Sequence, residues 1–136
     1  KGMFNGAKVF DDYGHHPTEI MATVNGIKNK KYNESWVVFE AHTYSRLQAH
    51  LKEFAKALVN FDHIIIIDTY AARETNTFNI SSKDLCDKIN SFGKDAKYIS
   101  DFDDIVKFIK SHTKENDIVL TIGAGTVTEI GPMLVK

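Results

Sequence analysis

His63-Ile64-Ile65-Ile66-Ile67-Asp68 is the stretch on which the fold turns. Four isoleucines in a row show none of the in–out alternation of a half-solvated strand. A short, continuous β-branched run bounded by polar residues reads instead as a strand covered on both faces, the kind found in parallel sheets. The run is also far too short to span a membrane.

Working outward, short apolar runs alternate with helical patterns. Residues 7–11 (AKVFD) read as a strand, and Pro17 opens a helix whose apolar stripe is Ile20, Val24 and Ile27. Residues 36–39 (WVVF) form the next strand, followed by one helix carrying Leu47, Leu51, Phe54, Ala55 and Leu58 at 3.6 periodicity. Beyond the isoleucine strand, Ser81 can cap a helix with Leu85, Ile89 and Phe92 inward and Gly93 as its stop. A weaker strand covers 96–99, a helix 101–113 turns Ile105, Phe108 and Ile109 inward, 118–122 is a strand, and a last helix runs from about Val127 to the end. This order predicts an α/β, three-layer Rossmann-like domain with a mostly parallel, doubly wound sheet. No repeat, linker or low-complexity tract interrupts it, so residues 1–136 are expected to form one domain.

Composition narrows the function. The 136 residues are 43% hydrophobic and 26% charged with a formal net charge of −1, too balanced for nucleic acid to be the main partner. No membrane partner is expected, and the single cysteine, Cys86, fits a reducing, cytoplasmic location and reads as a small helix-face residue. The start, Lys1-Gly2-Met3, reads as a cut from a longer chain.

In open α/β sheets ligands gather beyond the carboxyl ends of the strands. Four of the five strand ends carry unusual segments: Asp11-Asp12-Tyr13-Gly14-His15-His16-Pro17, Glu40-Ala41-His42-Thr43-Tyr44-Ser45-Arg46, Asp68-Thr69-Tyr70-Ala71-Ala72-Arg73-Glu74 and Gly123-Ala124-Gly125-Thr126. Parallel strands would bring all four to one edge. Asp11 and Asp12 suit turns as well as ligands, and His15-His16 suits helix entry, with His16 as cap. His42 and Arg46 flank a helix start, where free N–H groups and a guanidinium attract an anion. Asp12, His15, His16 and His42 form a ligand-like set, but no HExxH or HxH pattern fixes two ligands on one face, and no metal site is assigned. His50, His63 and His112 read as structural or solvated.

The run Phe10-Asp11-Asp12-Tyr13-Gly14-His15-His16-Pro17-Thr18-Glu19-Ile20 strongly resembles the opening of the C-terminal domain in the Mur ligase family, within the branch that adds the first amino acid in peptidoglycan synthesis. His42-Thr43-Tyr44-Ser45-Arg46, Tyr70-Ala71-Ala72-Arg73-Glu74 and Ile122-Gly123-Ala124-Gly125 resemble its later segments in the right order, and Lys1-Gly2 with Asn5-Gly6 resembles the residues joining the central domain to this one.

The resemblance implies a three-domain, cytoplasmic, ATP-dependent ligase that joins L-alanine to UDP-N-acetylmuramate through an acyl phosphate. Its partners would be the chain's own N-terminal and central domains, with ATP and Mg2+ held mainly by the central one. In that setting Asp12 would accept a ribose hydroxyl, and His15 would be catalytic, facing the phosphates or acyl phosphate. Arg46 would grip the L-alanine carboxylate, with Tyr13 and His42 bordering the pocket. Thr43 stands where many members of the branch have arginine. The chain contains no GxxGK[ST] loop, so the isolated domain is expected to be silent.

The rival is a signalling receiver domain phosphorylated on Asp68, with Asp11 and Asp12 as its acidic pair. It lacks the lysine that receivers need after the last strand, where Gly123-Ala124-Gly125 stands.

Overall fold

The computed structural model describes residues 2–77 and 79–135. Its six-stranded sheet has the order β1-β2-β6-β3-β4-β5, with β1 (Gly2–Phe4), β2 (Ala7–Asp12), β3 (Ser35–Phe39), β4 (His63–Ile66), β5 (Lys97–Tyr98) and β6 (Ile118–Ile122). Only β1 runs antiparallel; the other five are parallel. The doubly wound α/β architecture expected from the isoleucine run is therefore present.

Alternate residues of each central strand feed two cores, as the two-residue period of a strand dictates. Val37, Phe39, Ile64, Ile66, Leu120 and Ile122 face α1 (Pro17–Ile27), α2 (Tyr44–Ala49), α3 (Leu51–Leu58) and α4 (Ser82–Asn90). Trp36, Val38, Ile65, Ile67 and Val119 face α5 (Phe102–His112) and α6 (Ile130–Val135), the latter entered through a 3-10 turn at Thr126–Glu129. Ser81 caps α4 in a capping box with Asp84, and Asp101 caps α5 through the amides of Asp103 and Asp104. Cys86 is buried on α4, where burial pushes its thiol up to about 11, so it packs as a small apolar residue.

Three expectations change in detail. The helix drawn through Leu47 and Leu58 is two helices, broken at His50 (φ −126°, ψ 25°) with both apolar faces still on the sheet. α4 ends at Asn90, before Gly93, and leaves Phe92 exposed under the Lys88 ammonium. At the start, Asn5 (φ 48°) and Gly6 (φ 81°) make the left-handed pair of a tight hairpin turn that folds β1 back on β2. Lys1 lies outside the described residues.

The strand order also disposes of the receiver reading. Receivers place their first parallel strand between the second and third; here the last strand, β6, lies between β2 and β3. The chain leaves β2 and β3 toward one face and β6 toward the other, which opens a crevice at their carboxyl ends. Asp12, Glu40 and Gly123 stand around it.

Candidate active site

The first wall of the crevice is the turn from β2 into α1. Asp12 shapes it. One carboxylate oxygen accepts the Gly14 amide at 2.8 Å and the other accepts the Thr23 hydroxyl from α1. His16 caps α1 through Nδ1, which accepts the Thr18 amide at 3.3 Å, and Glu19 reaches back to the amides of His15 and His16, both at 3.0 Å. These bonds draw the Glu19 carboxyl below its usual range, with the neighbouring histidines adding to the effect. His15 is left partly exposed, its Nδ1 3.3 Å from the Tyr13 carbonyl, while the Tyr13 side chain is 62% exposed at the rim.

The second wall follows β3. Beyond that strand His42 pairs with Tyr70 in an isolated parallel bridge: Tyr70 donates its amide to the Ala41 carbonyl at 2.8 Å and accepts the Thr43 amide at 2.7 Å. The His42 ring stacks on Tyr70, centroids 5.2 Å apart, and lies 5.7 Å from the His15 ring. His42 Nδ1 is buried without a hydrogen-bond partner. Protonating it would bury an N–H with no acceptor. Desolvation, then the Arg46 and His15 charges, hold His42 below the ordinary imidazole pKa, so it is a neutral ring at pH 7.

Arg46 lies one turn along. Its Nη1 donates to the His42 carbonyl at 3.3 Å, and among the described residues the rest of its guanidinium fork has no protein acceptor. Thr43 caps α2 toward the Arg46 amide at 3.3 Å from a backbone in the left-handed region (φ 71°, ψ 145°). Glu74, from the long connection after β4, accepts the Ser45 amide at 3.0 Å and the Ser45 hydroxyl, which holds its carboxyl below the usual range.

The structure thus brings His15, His42 and Arg46 to one edge, with Asp12 in the turn behind His15 and Tyr13 at the margin. Within the ligand-like set, Asp12 and His16 are engaged in turn and cap. Among the described residues no three His, Cys, Asp or Glu side chains could hold a metal ion together. Asp12 still has a free lone pair on each oxygen, so it can accept a further hydroxyl. Of the histidines assigned structural roles, His50 meets His16 edge-on at 4.9 Å, His63 stacks on Trp36 at 4.1 Å, and His112 stacks on Phe108 at 4.2 Å.

Glu40, Tyr70 and Glu74 stand in the strand-end segments with no local pattern that marks a role for them. Glu40 is 1% exposed, and its carboxylate accepts the amides of Gly125 (3.0 Å) and Val127 (3.4 Å) and the Thr126 hydroxyl (2.6 Å). A side chain on Gly125 would meet the Glu40 carboxylate at 2.7 Å and the Tyr70 ring at 2.9 Å. The glycine segment therefore seats a carboxylate and an aromatic ring.

The family model described as Mur ligase, glutamate ligase domain, matches residues 1–125 of this chain. The chain belongs to the Mur ligase family. Among curated relatives, a UDP-N-acetylmuramate--L-alanine ligase of Lachnospira eligens is 47% identical over all 136 residues, which cover 30% of that protein. One of the same name from Caldanaerobacter subterraneus subsp. tengcongensis is 51% identical over 131 residues, 96% of this chain and 28% of the relative. The chain thus spans under a third of the length of these relatives. Among solved structures, the UDP-N-acetylmuramate-alanine ligase of Thermotoga maritima superposes with a TM-score of 0.76 at 27% identity, over 96% of this chain and 26% of that one. A separately solved domain, assigned to a UDP-N-acetylmuramate:L-alanyl-gamma-D-glutamyl-diaminopimelate ligase of Haemophilus ducreyi, gives 0.72 at 25% identity, over 99% of this chain and 94% of that one. A Mur ligase domain of this extent can therefore be crystallised on its own. No helix among the described residues is long and apolar enough to cross a membrane.

Proposed function

We propose that this chain is the C-terminal domain of an ATP-dependent, cytoplasmic ligase that joins L-alanine to UDP-N-acetylmuramate, its own N-terminal and central domains completing the site. The observation that carries this reading is the convergence of His15, His42 and Arg46 on one edge of the sheet at its topological switch point. The names of relatives at 47% and 51% identity support the same assignment.

Each residue has a part that its surroundings allow. Arg46, with most of its planar donors unused, grips the amino acid's carboxylate in a bidentate manner. His42, neutral at pH 7, borders that carboxylate without adding a second cation, and Tyr13 closes the outer side. With Thr43 in place of arginine, Arg46 is the main cation there. His15 sits where the turn after β2 meets this pocket and faces the activated carboxyl group. Asp12 accepts a ribose hydroxyl while its bonds to Gly14 and Thr23 keep the turn in shape. When bound, ATP supplies the phosphoryl group that activates the sugar nucleotide's carboxylate and Mg2+ offsets the phosphate charge, both held mainly by the central domain. Substrate amine and carboxyl carbon are then oriented by groups from two domains, and such orientation can supply several kcal/mol of the barrier.

The test is product formation. The full-length protein given UDP-N-acetylmuramate, L-alanine, ATP and Mg2+ releases ADP and yields the sugar nucleotide heavier by one alanyl residue, read by mass spectrometry. The isolated 136-residue domain yields neither. Full-length protein that releases ADP with no alanyl product, or product from the domain alone, would overturn the assignment.

A further inference from the structure

We infer that Glu40 positions His42 for the reaction, by pinning the turn at 123–127 that seats Tyr70, the ring on which His42 stacks. Glu40 is a positioning residue; its carboxylate points into the protein.

A carboxylate that is 1% exposed has lost nearly all of its hydration. Here three donors from one turn replace the lost water: Gly125 and Val127 through their amides and Thr126 through its hydroxyl. The turn leads into the 3-10 segment at Thr126–Glu129, where the Thr128 amide donates to the Gly125 carbonyl at 3.2 Å, so Glu40 takes up the amides on either side of Thr126 that this segment leaves unpaired. The β3–β6 pairing already joins the strands; Glu40 extends that join past their ends, where its own amide also donates to the Ile122 carbonyl at 3.0 Å.

The chain of contacts then runs outward. Tyr70 lies so close over Gly125 that a Cβ there would be 2.9 Å from the ring. The Tyr70 ring also carries His42 at 5.2 Å, and His15 follows at 5.7 Å. His42 Nδ1 has no hydrogen bond to fix the ring. Stacking on Tyr70 supplies the orientation that a hydrogen bond usually gives, and Tyr70 in turn rests on a turn held by Glu40.

Glu40→Gln, Glu40→Ala and Glu40→Asp separate shape from charge. In glutamine the carbonyl oxygen can still accept both amides, and its NH2 can donate to the Thr126 hydroxyl, so the geometry survives without the charge. Alanine removes the anchor, and aspartate draws it back by one methylene. In the 136-residue domain, the NMR signals of the His42 ring, shifted by the Tyr70 ring current, are expected to move in the alanine and aspartate variants and stay near wild type in the glutamine variant. In the full-length enzyme kcat falls by roughly 100-fold in the alanine variant, the scale of an ångström-sized misplacement. KM for ATP holds, and glutamine restores most of the rate.

Unmoved His42 signals in Glu40→Ala would overturn the inference, as would a glutamine variant as impaired as alanine, since the charge would then be acting. If the alanine variant does not fold, Thr126→Val decides: it removes one of the three donors, and a smaller displacement of the same His42 signals supports the inference, while none overturns it. The kinetic arm rests on the proposed ligase reaction. The NMR arm does not, so a wild-type protein without ligase activity would sink that reaction and leave the positioning claim to be judged on the ring signals.

Discussion

Ser45 donates both its backbone amide, at 3.0 Å, and its hydroxyl to the carboxylate of Glu74, which clasps the long connection after β4 to the first turn of α2. This clasp stands beside Arg46, whose charge also favours the Glu74 anion. Glu74→Ala should therefore lower the melting temperature of the domain and loosen the 68–80 connection, seen as faster proteolysis there. Glu74→Gln keeps one acceptor and should recover part of the loss. Under the ligase reaction proposed above, the alanine variant of the full-length protein should raise KM for L-alanine more than KM for ATP, because it frees the helix that carries Arg46. Equal protease resistance in wild type and Glu74→Ala would refute the clasp.

Thr43 is a β-branched residue held at φ 71°, ψ 145°, a region that costs a non-glycine residue on the order of 1–3 kcal/mol. Its hydroxyl offsets part of that by accepting the Arg46 amide and meeting the Ser45 hydroxyl at 3.2 Å. Two substitutions separate strain from capping. Thr43→Val keeps the strain and loses the cap, so it should destabilise by about 1 kcal/mol. Thr43→Gly loses the cap and relieves the strain, and should melt at a higher temperature than the valine variant. The opposite order in thermal denaturation would show that the backbone there is not strained.

How much of this was legible in the sequence depends on how far apart the partners lie. The isoleucine run, the Pro17 and Ser81 helix starts and the strand-end clusters are local signals, and each appears where the pattern put it. The break at His50 left no such mark, because the apolar period runs through it and no glycine or proline announces it. The β1–β2 hairpin did leave one: Asn5-Gly6 is a strong turn signal, but three residues of strand before it are too few for periodicity to register. Glu40 was invisible because its partners lie 85–87 positions away, in the turn that follows β6, a strand that pairs with β3 only after the chain has crossed the sheet and returned.

Gly123 gives a test of the crevice floor. It sits at φ 148°, and a Cβ there would be 2.7 Å from a Val127 methyl carbon and 3.0 Å from the Glu40 carbonyl oxygen. Backbone cannot yield as a flexible side chain can. Gly123→Ala combines backbone strain with overpacking and should cost about 3 kcal/mol in denaturant unfolding. Gly26, with nothing within 4 Å of its would-be Cβ, sits in the last turn of α1, and Gly26→Ala should stabilise by about 0.5 kcal/mol. Similar effects at the two sites would mean the turn at 123–127 is not packed as described.

The His42 environment makes stability depend on pH in a definite direction. Its folded pKa lies below the ordinary 6.5, from burial first and then from Arg46 and His15, against the opposing pull of Glu40 and Glu74. Between the lowered value and 6.5 the unfolded chain binds more protons at this ring than the folded one, so stability rises with pH through that window and levels off above it. Glu74 and Glu19 act in a separate, more acidic range: both are held below the ordinary 4.5, so their contributions are present above it and fade as pH falls through the folded values. Unfolding midpoints of the domain measured across pH should thus show two sloping segments. His42→Leu should flatten the upper one and leave the lower intact. An upper slope that survives the loss of His42 would place the titrating group elsewhere and remove the physical basis for a neutral ring beside the carboxylate that Arg46 is proposed to grip.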